Sequence, residues 1–365
     1  MTIEHIETAI IGAGQAGLAT AYHLQRTGRP CLILDGNEHI GDNWRAQWDS
    51  LRLYSPARFD GLPGLPFPSP PWSYPTKDQV ADYLAMYAKR FELPVRTLTR
   101  VDRLQAVDGK YVLQLGADRI IADNVVVATG TFGRTPRIPD FALDLDPSIR
   151  QLHSSEYRRP SQLKPGRVLV VGAAHSGSDI ALEVAATHPT VLAGRDTGQV
   201  PVRLDRWTIR LVFPTVVFLA NHVLTRRTPM GRKALEEVRL HGGPNVRVKP
   251  SDLRDRGVER VLDRVTGVQH GRPVLADGRV LDVANVVWCT GFRQVFDWID
   301  LPIFGADGWP WEMRGVVPEA PGLFFCGLAF QYSFSSTVLA GVGRDAAYVA
   351  EQIEARVGKS LALAA

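Results

Sequence analysis

Two short glycine-rich runs carry the clearest chemistry in this 365-residue chain. The first is Gly12-Ala13-Gly14-Gln15-Ala16-Gly17, set between an apolar run, Ile6 to Ile11, and a helical pattern, Ala16 to Gln25. At such a strand-to-helix turn the first glycine allows the tight bend. The second lets a pyrophosphate approach the backbone, and the third lets helix pack on strand. The helix then offers unpaired N–H groups and its positive dipole end to phosphate oxygens. Asp35 stands eighteen residues beyond Gly17, at the end of the next apolar run, and Gly36 follows it. An acid in that place suits a free ribose diol. The pattern predicts a dinucleotide site in which Gly12, Gly14, Gln15, Ala16, Gly17, Asp35 and Gly36 take part.

The second run is Gly172-Ala173-Ala174-His175-Ser176-Gly177. Its middle position is Ala174, whose Cβ is expected to push a pyrophosphate slightly outward. Arg195 stands eighteen residues beyond Gly177, as Asp35 does beyond Gly17. A guanidinium at that corner suits a 2′-phosphate, so the two turns imply two different nucleotides, the second of them NADPH. His175 reads as a turn residue, because nothing near it in sequence pairs with it. Two further triplets, Ala128-Thr129-Gly130 and Cys289-Thr290-Gly291, would let the chain pass close beside a bound dinucleotide. They add Thr129, Gly130 and Gly291 to the candidate cofactor contacts.

The elements that must hold these residues follow from pattern. His5 to Asp35 reads as strand, glycine turn, helix and strand, one unit of a parallel sheet. Val95 to Gly130 alternates as a β-meander. The same order returns as a strand at Val168, a glycine turn, a helix, and a meander from Glu259 to Gly291. This is an internal duplication. It predicts an α/β fold of two Rossmann-like dinucleotide-binding domains, each a parallel sheet with helices plus a β-meander. The NADPH domain is inserted in the first, with residues 1–160, then 161–290, then a returning segment 291–365.

Between the first unit and its meander, Ser55 to Pro75 holds seven prolines among Phe59, Phe67, Trp72 and Tyr74. It can be neither helix nor central strand, and a long ordered loop of this kind is usually functional. Asp78 to Phe91 has helical spacing of Val80, Tyr83, Leu84, Tyr87 and Phe91.

Composition sets the outer bounds. Apolar residues are 45%, charged residues 22% and the net charge +4, an ordinary globular balance with no basic arm for nucleic acid. Cys31, Cys289 and Cys326 lie far apart, which excludes a Cys-x-x-Cys pair and any zinc spacing and leaves core thiols. The first residues lack a signal-peptide pattern, so a cytoplasmic location is expected. Leu211 to Leu224 is the most apolar stretch, yet it is short and interrupted by Pro214, Asn221 and His222. That suits a buried or interfacial segment better than a transmembrane one.

The combination GAGQAG, GDNWR (Gly41 to Arg45), ATG, HSSEYRR (His153 to Arg159), GAAHSG and CTGF resembles the flavin-containing monooxygenases. The segment LRLYSPARFDGLPGLPFP resembles, in style, that of bacterial flavoproteins and plant-type indole-pyruvate monooxygenases. The resemblance runs along nearly the whole chain. It implies FAD on the first turn and NADPH on the second. Trp44 and Arg45 would lie along the flavin side, and the backbone near Val101 would meet the adenine. Gly327 to Thr337 would cap the flavin ring, with Ser335 or Ser336 at the start of the last helix. Tyr54 stands where many members have an asparagine facing the flavin, which makes it the substrate-site candidate. The chain departs from the family at Asp42, Pro147 and Ile149. The implied activity is oxygenation of a small organic substrate by molecular oxygen through a flavin peroxide or hydroperoxide, with no catalytic side chain named. An NADPH oxidase releasing peroxide, a disulfide reductase and a redox-sensing flavoprotein are the alternatives; the missing cysteine pair speaks against the reductase.

Overall fold

The computed structural model describes residues 2–130, 135–204, 207–241 and 243–364. Its framework is two α/β sheets. In the first, strands run in the order Val95–Arg96, Cys31–Leu34, Ile3–Ile11, Asp118–Val127, Lys110–Leu115, Arg103–Val107. The first four are parallel, and the last two turn back antiparallel as the meander. Leu323–Phe325 pairs in parallel with Asp118–Val127, so the C-terminal part does return to complete the first sheet. The second sheet is wholly parallel, in the order Glu259–Val261, Thr190–Ala193, Val168–Val171, Asn285–Trp288, Arg150–His153. It draws on strands from either side of position 160. The second meander differs from the first: Val265–Gln269 and Arg272–Leu275 form a separate two-stranded ribbon.

The sequence dictates these sheets by burial on both faces. All four residues of Val168–Val171, Thr190–Ala193 and Asn285–Trp288 are buried, as are the last four of Ile3–Ile11. Strands covered by helices on both sides need such unbroken apolar runs. Helix Gln15–Arg26 covers the first sheet and packs on the long final helix Leu339–Ala364.

The helix foreseen at 78–91 spans Lys77–Arg90 and opens with a capping box between Thr76 and Gln79. Its tyrosines hold the proline-rich segment in place. The Tyr83 hydroxyl accepts the Leu62 N–H at 2.6 Å and donates to the Leu65 carbonyl at 2.7 Å. Tyr87 donates to the Pro63 carbonyl at 2.7 Å. The segment doubles back on itself, with Leu53 N–H bonded to Pro75, Ala57 to Ser73 and Arg58 to Pro71. Prolines cannot join a sheet ladder, so neighbouring side chains supply what the missing ladder would have.

Candidate cofactor and substrate site

The first glycine turn is closed by backbone contact. Gly12 N–H donates to the Leu34 carbonyl at 2.8 Å, and Ala128 N–H to the Ile11 carbonyl at 2.9 Å. Gly12 has φ +111°, and a Cβ there would stand 2.5 Å from the Ala128 carbonyl oxygen. A Cβ on Gly17 would stand 1.9 Å from the Gly12 carbonyl oxygen. Gly14 is the opposite case: a Cβ there meets nothing within 4 Å. No side chain caps the helix that Gly14, Gln15, Ala16 and Gly17 open. Bare N–H groups beneath open space fit a pyrophosphate. Asp35 is half-buried, and its Oδ2 accepts the Ala13 N–H at 2.6 Å. Its Oδ1 accepts both the backbone and side-chain N–H of Asn37 at 2.8 Å. The acid therefore braces the turn as well as standing at the ribose corner, with Gly36 exposed beside it.

The other first-site candidates are placed unevenly. Gly327 comes close to the first helix, where a Cβ would stand 2.8 Å from Ala16 Cβ. Gln15 Nε2 donates to the Thr337 carbonyl at 3.0 Å, which ties the 327–337 segment to the turn. Ser336 lies in a 3-10 turn, Phe334–Thr337, ahead of the last helix. Its buried hydroxyl accepts the N–H groups of Tyr332 and Ser333 at 3.0 Å, so it shapes the cap from within. Thr129 and Gly130 directly follow the central strand, with Gly130 at φ +77°. Val101 is buried under the first sheet. Trp44 packs between the cores of the two sheets. Arg45 is committed elsewhere: it donates to the Ile40 carbonyl at 2.9 Å, to Asp42 at 3.1 Å and to Asp82 at 2.9 Å. Those bonds clamp the short Asp42–Arg45 helix onto Lys77–Arg90.

The second turn repeats the first nearly atom for atom. Gly172 has φ +102° and donates to the Ala193 carbonyl at 2.8 Å, while Cys289 N–H donates to Val171 at 2.8 Å. Ala174, at φ −78° and ψ −168°, begins its helix as Gly14 does at φ −80° and ψ −175°. Gly291 lies at φ +82°, against +77° for Gly130. His175, Ser176 and Gly177 open helix His175–Val184, again without a side-chain cap. One correspondence shifts. Leu34 and Ala193 receive the matching bonds, so Asp35 is opposed by Gly194, and Arg195 stands one residue further out, beside the place of Gly36. Equal spacing in sequence hid this: the second helix is two residues shorter than the first and the connection after it one residue longer, so its strand ends one residue earlier. Arg195 is half-buried, with no ion pair among the described residues. Arg203, the other arginine near this corner, pairs with Asp252 at 3.2 Å.

Tyr54 joins the two halves. Its ring stacks on His175, centroids 4.6 Å apart and planes at 29°. Its hydroxyl donates to Asp179 Oδ2 at 3.2 Å. Asp179 in turn faces Arg247 at 3.8 Å. Burial raises the Asp179 carboxyl to about 6, against the pull of Arg247 and Tyr54. Burial also holds His175 down to about 4, with the Pro244 backbone opposing, and pushes Tyr54 well above the usual phenol range. His175 Nε2, Asn245 Oδ1 and Arg247 Nη1 are buried without a hydrogen-bond partner among the described residues. The cap residue Phe334 reaches the same place, since a Cβ on Gly243 would lie 3.7 Å from Phe334 and 3.9 Å from His175. Asp179, Asn245 and Arg247 escaped sequence reading. The available signal was the four-residue step from His175 to Asp179, which stacks the two on one helix face.

The three cysteines are unpaired. Burial pushes Cys31 up to about 11, Cys326 up to about 12 and Cys289 higher still. Thiols held so firmly protonated make poor nucleophiles.

Comparison with known proteins gives the chain's family. Residues 9–208 match the family model described as pyridine nucleotide-disulphide oxidoreductase. A CzcO-like oxidoreductase of Geobacillus kaustophilus is 36% identical, over 96% of this chain and 99% of its own. The indole-3-pyruvate monooxygenase YUCCA1 of Oryza sativa subsp. japonica is 28% identical, over 94% of this chain and 90% of its own. The flavin-containing monooxygenase of Stenotrophomonas maltophilia superposes with a TM-score of 0.77 at 27% identity, covering 96% of this chain and 99% of that one. The resemblance to flavin monooxygenases is thus met over nearly the whole chain, and the chain belongs to the pyridine nucleotide-disulphide oxidoreductase family, as an oxidoreductase akin to the flavin monooxygenases.

Proposed function

We propose that the chain is an FAD-dependent, NADPH-consuming monooxygenase that transfers one oxygen atom of dioxygen to a small organic substrate. One observation carries the reading: a single chain holds two glycine turns of matching geometry, with the acid Asp35 at the outer corner of the first and the cation Arg195 one residue past the matching corner of the second. An acid beside one ribose suits its free diol, and an arginine beside the other suits a 2′-phosphate. Bound FAD supplies the hydride acceptor and the centre at which dioxygen is used. The chain's residues bind, orient and dry the site. The N–H groups at Gly14 to Gly17 and Ala174 to Gly177 hold the two pyrophosphates. Asp35 holds the FAD ribose, and Arg195 grips the 2′-phosphate of NADPH. The segment Ser55 to Pro75 covers the flavin, and Tyr54 sets the spacing between the halves. We assign residues 1–160 and 291–365 to FAD and 161–290 to NADPH, with Arg150–His153 lending a strand to the second sheet.

The test is turnover of the FAD-loaded protein with NADPH under labelled dioxygen, against a panel of thioethers, amines, ketones and 2-oxo acids. Incorporation of labelled oxygen into any product supports the proposal. Full recovery of the NADPH electrons as hydrogen peroxide across the panel would mean an oxidase instead.

A further inference from the structure

The apolar stretch from Leu211 to Leu224 meets the site above along its inner side, where Asn221 accepts from the Ser335 hydroxyl and Leu224 from the Phe334 N–H, but its outer face takes no part in it. It forms helix Ile209–Phe218, prolonged by a π-helical turn Leu219–Val223. The inner face is anchored: Ile209 and Phe213 are buried, and Phe213 packs on Phe59 at 5.3 Å between ring centroids. The outer face is apolar too. Trp207 is 72% exposed, Leu211 67%, Phe218 57% and Leu219 43%. Positions 207, 211 and 218 fall on one ridge of the helix, with 212 and 219 on the next. Met230, 62% exposed, opens the following helix. Monomeric proteins rarely leave such a continuous apolar stripe in water.

The charge around this stripe is one-sided. Residues 203–233 contain seven Arg or Lys and one acid, Asp205; of the seven, Arg203 and Arg226 are paired with Asp252 and Glu312. From 206 to 235 there is no Asp or Glu. Arg210, Arg227, Arg232 and Lys233 are exposed.

We propose that this face rests on an anionic lipid bilayer, with the helix lying in the plane of the headgroups. Exposed aromatic and aliphatic side chains would enter the acyl boundary while the flanking cations meet lipid phosphates. The charge decides against a second copy of the chain, because a two-fold contact would press the same positive surface against itself. No described helix is long and apolar enough to cross a membrane, which leaves a surface-lying mode.

The experiment is sedimentation of the FAD-loaded full chain with vesicles. One set is phosphatidylcholine; the other is phosphatidylcholine and phosphatidylglycerol in equal parts. Binding to the anionic set is expected to exceed binding to the neutral set by about tenfold or more, and to weaken with added salt. Leu211→Ser with Phe218→Ser, and separately Arg232→Glu with Lys233→Glu, should each lose about tenfold of that binding while flavin content stays unchanged. Equal binding to both sets, or none, overturns the proposal whatever the variants do. So would light scattering that finds a dimer which the Leu211→Ser, Phe218→Ser variant converts to monomer.

Discussion

Asp35 and Arg195 end comparable strands, and the work each does depends on a one-residue difference in register. Asp35 braces its own turn through Ala13, whereas Arg195 projects from the residue after Gly194 with no carboxylate partner among the described residues. An arginine so placed can reach outward to a 2′-phosphate. Arg195→Ala should raise the Michaelis constant for NADPH about ten- to a hundredfold and leave NADH unchanged, the loss of a charge-assisted contact of roughly 1.5–3 kcal/mol. Steady-state kinetics with both nucleotides checks it. A second residue, Asp60, is buried in the proline-rich segment with Oδ2 unpartnered among the described residues, and burial raises its carboxyl from 3.8 to about 7 although Ser55 donates to it. The folded pKa is raised, so its contribution is most favourable below the unfolded value of 3.8 and is lost as pH rises through about 7. Asp60→Asn should therefore stabilise the protein by about 1–3 kcal/mol at pH 8 and by little at pH 4, measured as denaturation midpoints at the two pH values. Sequence could reveal Arg195 through its spacing. It could not reveal Asp60, whose burial comes from distant packing, and it offered Asp179 only through the four-residue step from His175.

The glycine turns were legible because backbone geometry demands specific residues there, and within the first turn Gly14 and Gly17 meet different demands. Gly14→Ala places its methyl in open space, so folding should be kept while FAD affinity falls. Gly17→Ala drives a Cβ into the Gly12 carbonyl, so the helix itself must move. Thermal melting of the flavin-free proteins should leave Gly14→Ala near the parent and lower Gly17→Ala well below it; similar melting of the two would contradict this division. The proline-rich segment was legible only as an ordered loop. Its shape comes from the hydroxyls of Tyr83 and Tyr87, which helical spacing marks as core but not as donors. Its reach to the second half, through Tyr74 to the Leu204 carbonyl and the adjoining Tyr54 to Asp179, was invisible because the partners lie more than a hundred residues away. Tyr54→Phe keeps the stack on His175 and strands the Asp179 oxygen, at a cost of about 1–3 kcal/mol. Weaker NADP⁺ binding by calorimetry, with FAD content unchanged, is the expected result; unchanged NADP⁺ affinity would reduce Tyr54 to a packing residue.

At the scale of the whole molecule, duplication made the architecture readable before any single site was. Two glycine turns in like order specify two sheets, each built on a parallel strand–helix–strand unit, and a chain that enters, leaves and re-enters the first sheet follows from the absence of a third turn. What duplication could not specify was the join. Trp44 packs against both cores and Tyr54 reaches Asp179, both of them contacts between segments far apart in sequence. These contacts make one enzyme of two nucleotide-binding halves, and they set up the central claim, that NADPH bound in one half reduces FAD bound in the other. The most direct measurement is anaerobic titration of the FAD-loaded protein with NADPH and, in parallel, NADH, followed by the flavin's visible absorbance. The account predicts stoichiometric bleaching by NADPH at concentrations about ten- to a hundredfold below those NADH requires. Failure of NADPH to bleach the flavin, or equal response to the two nucleotides, would contradict it.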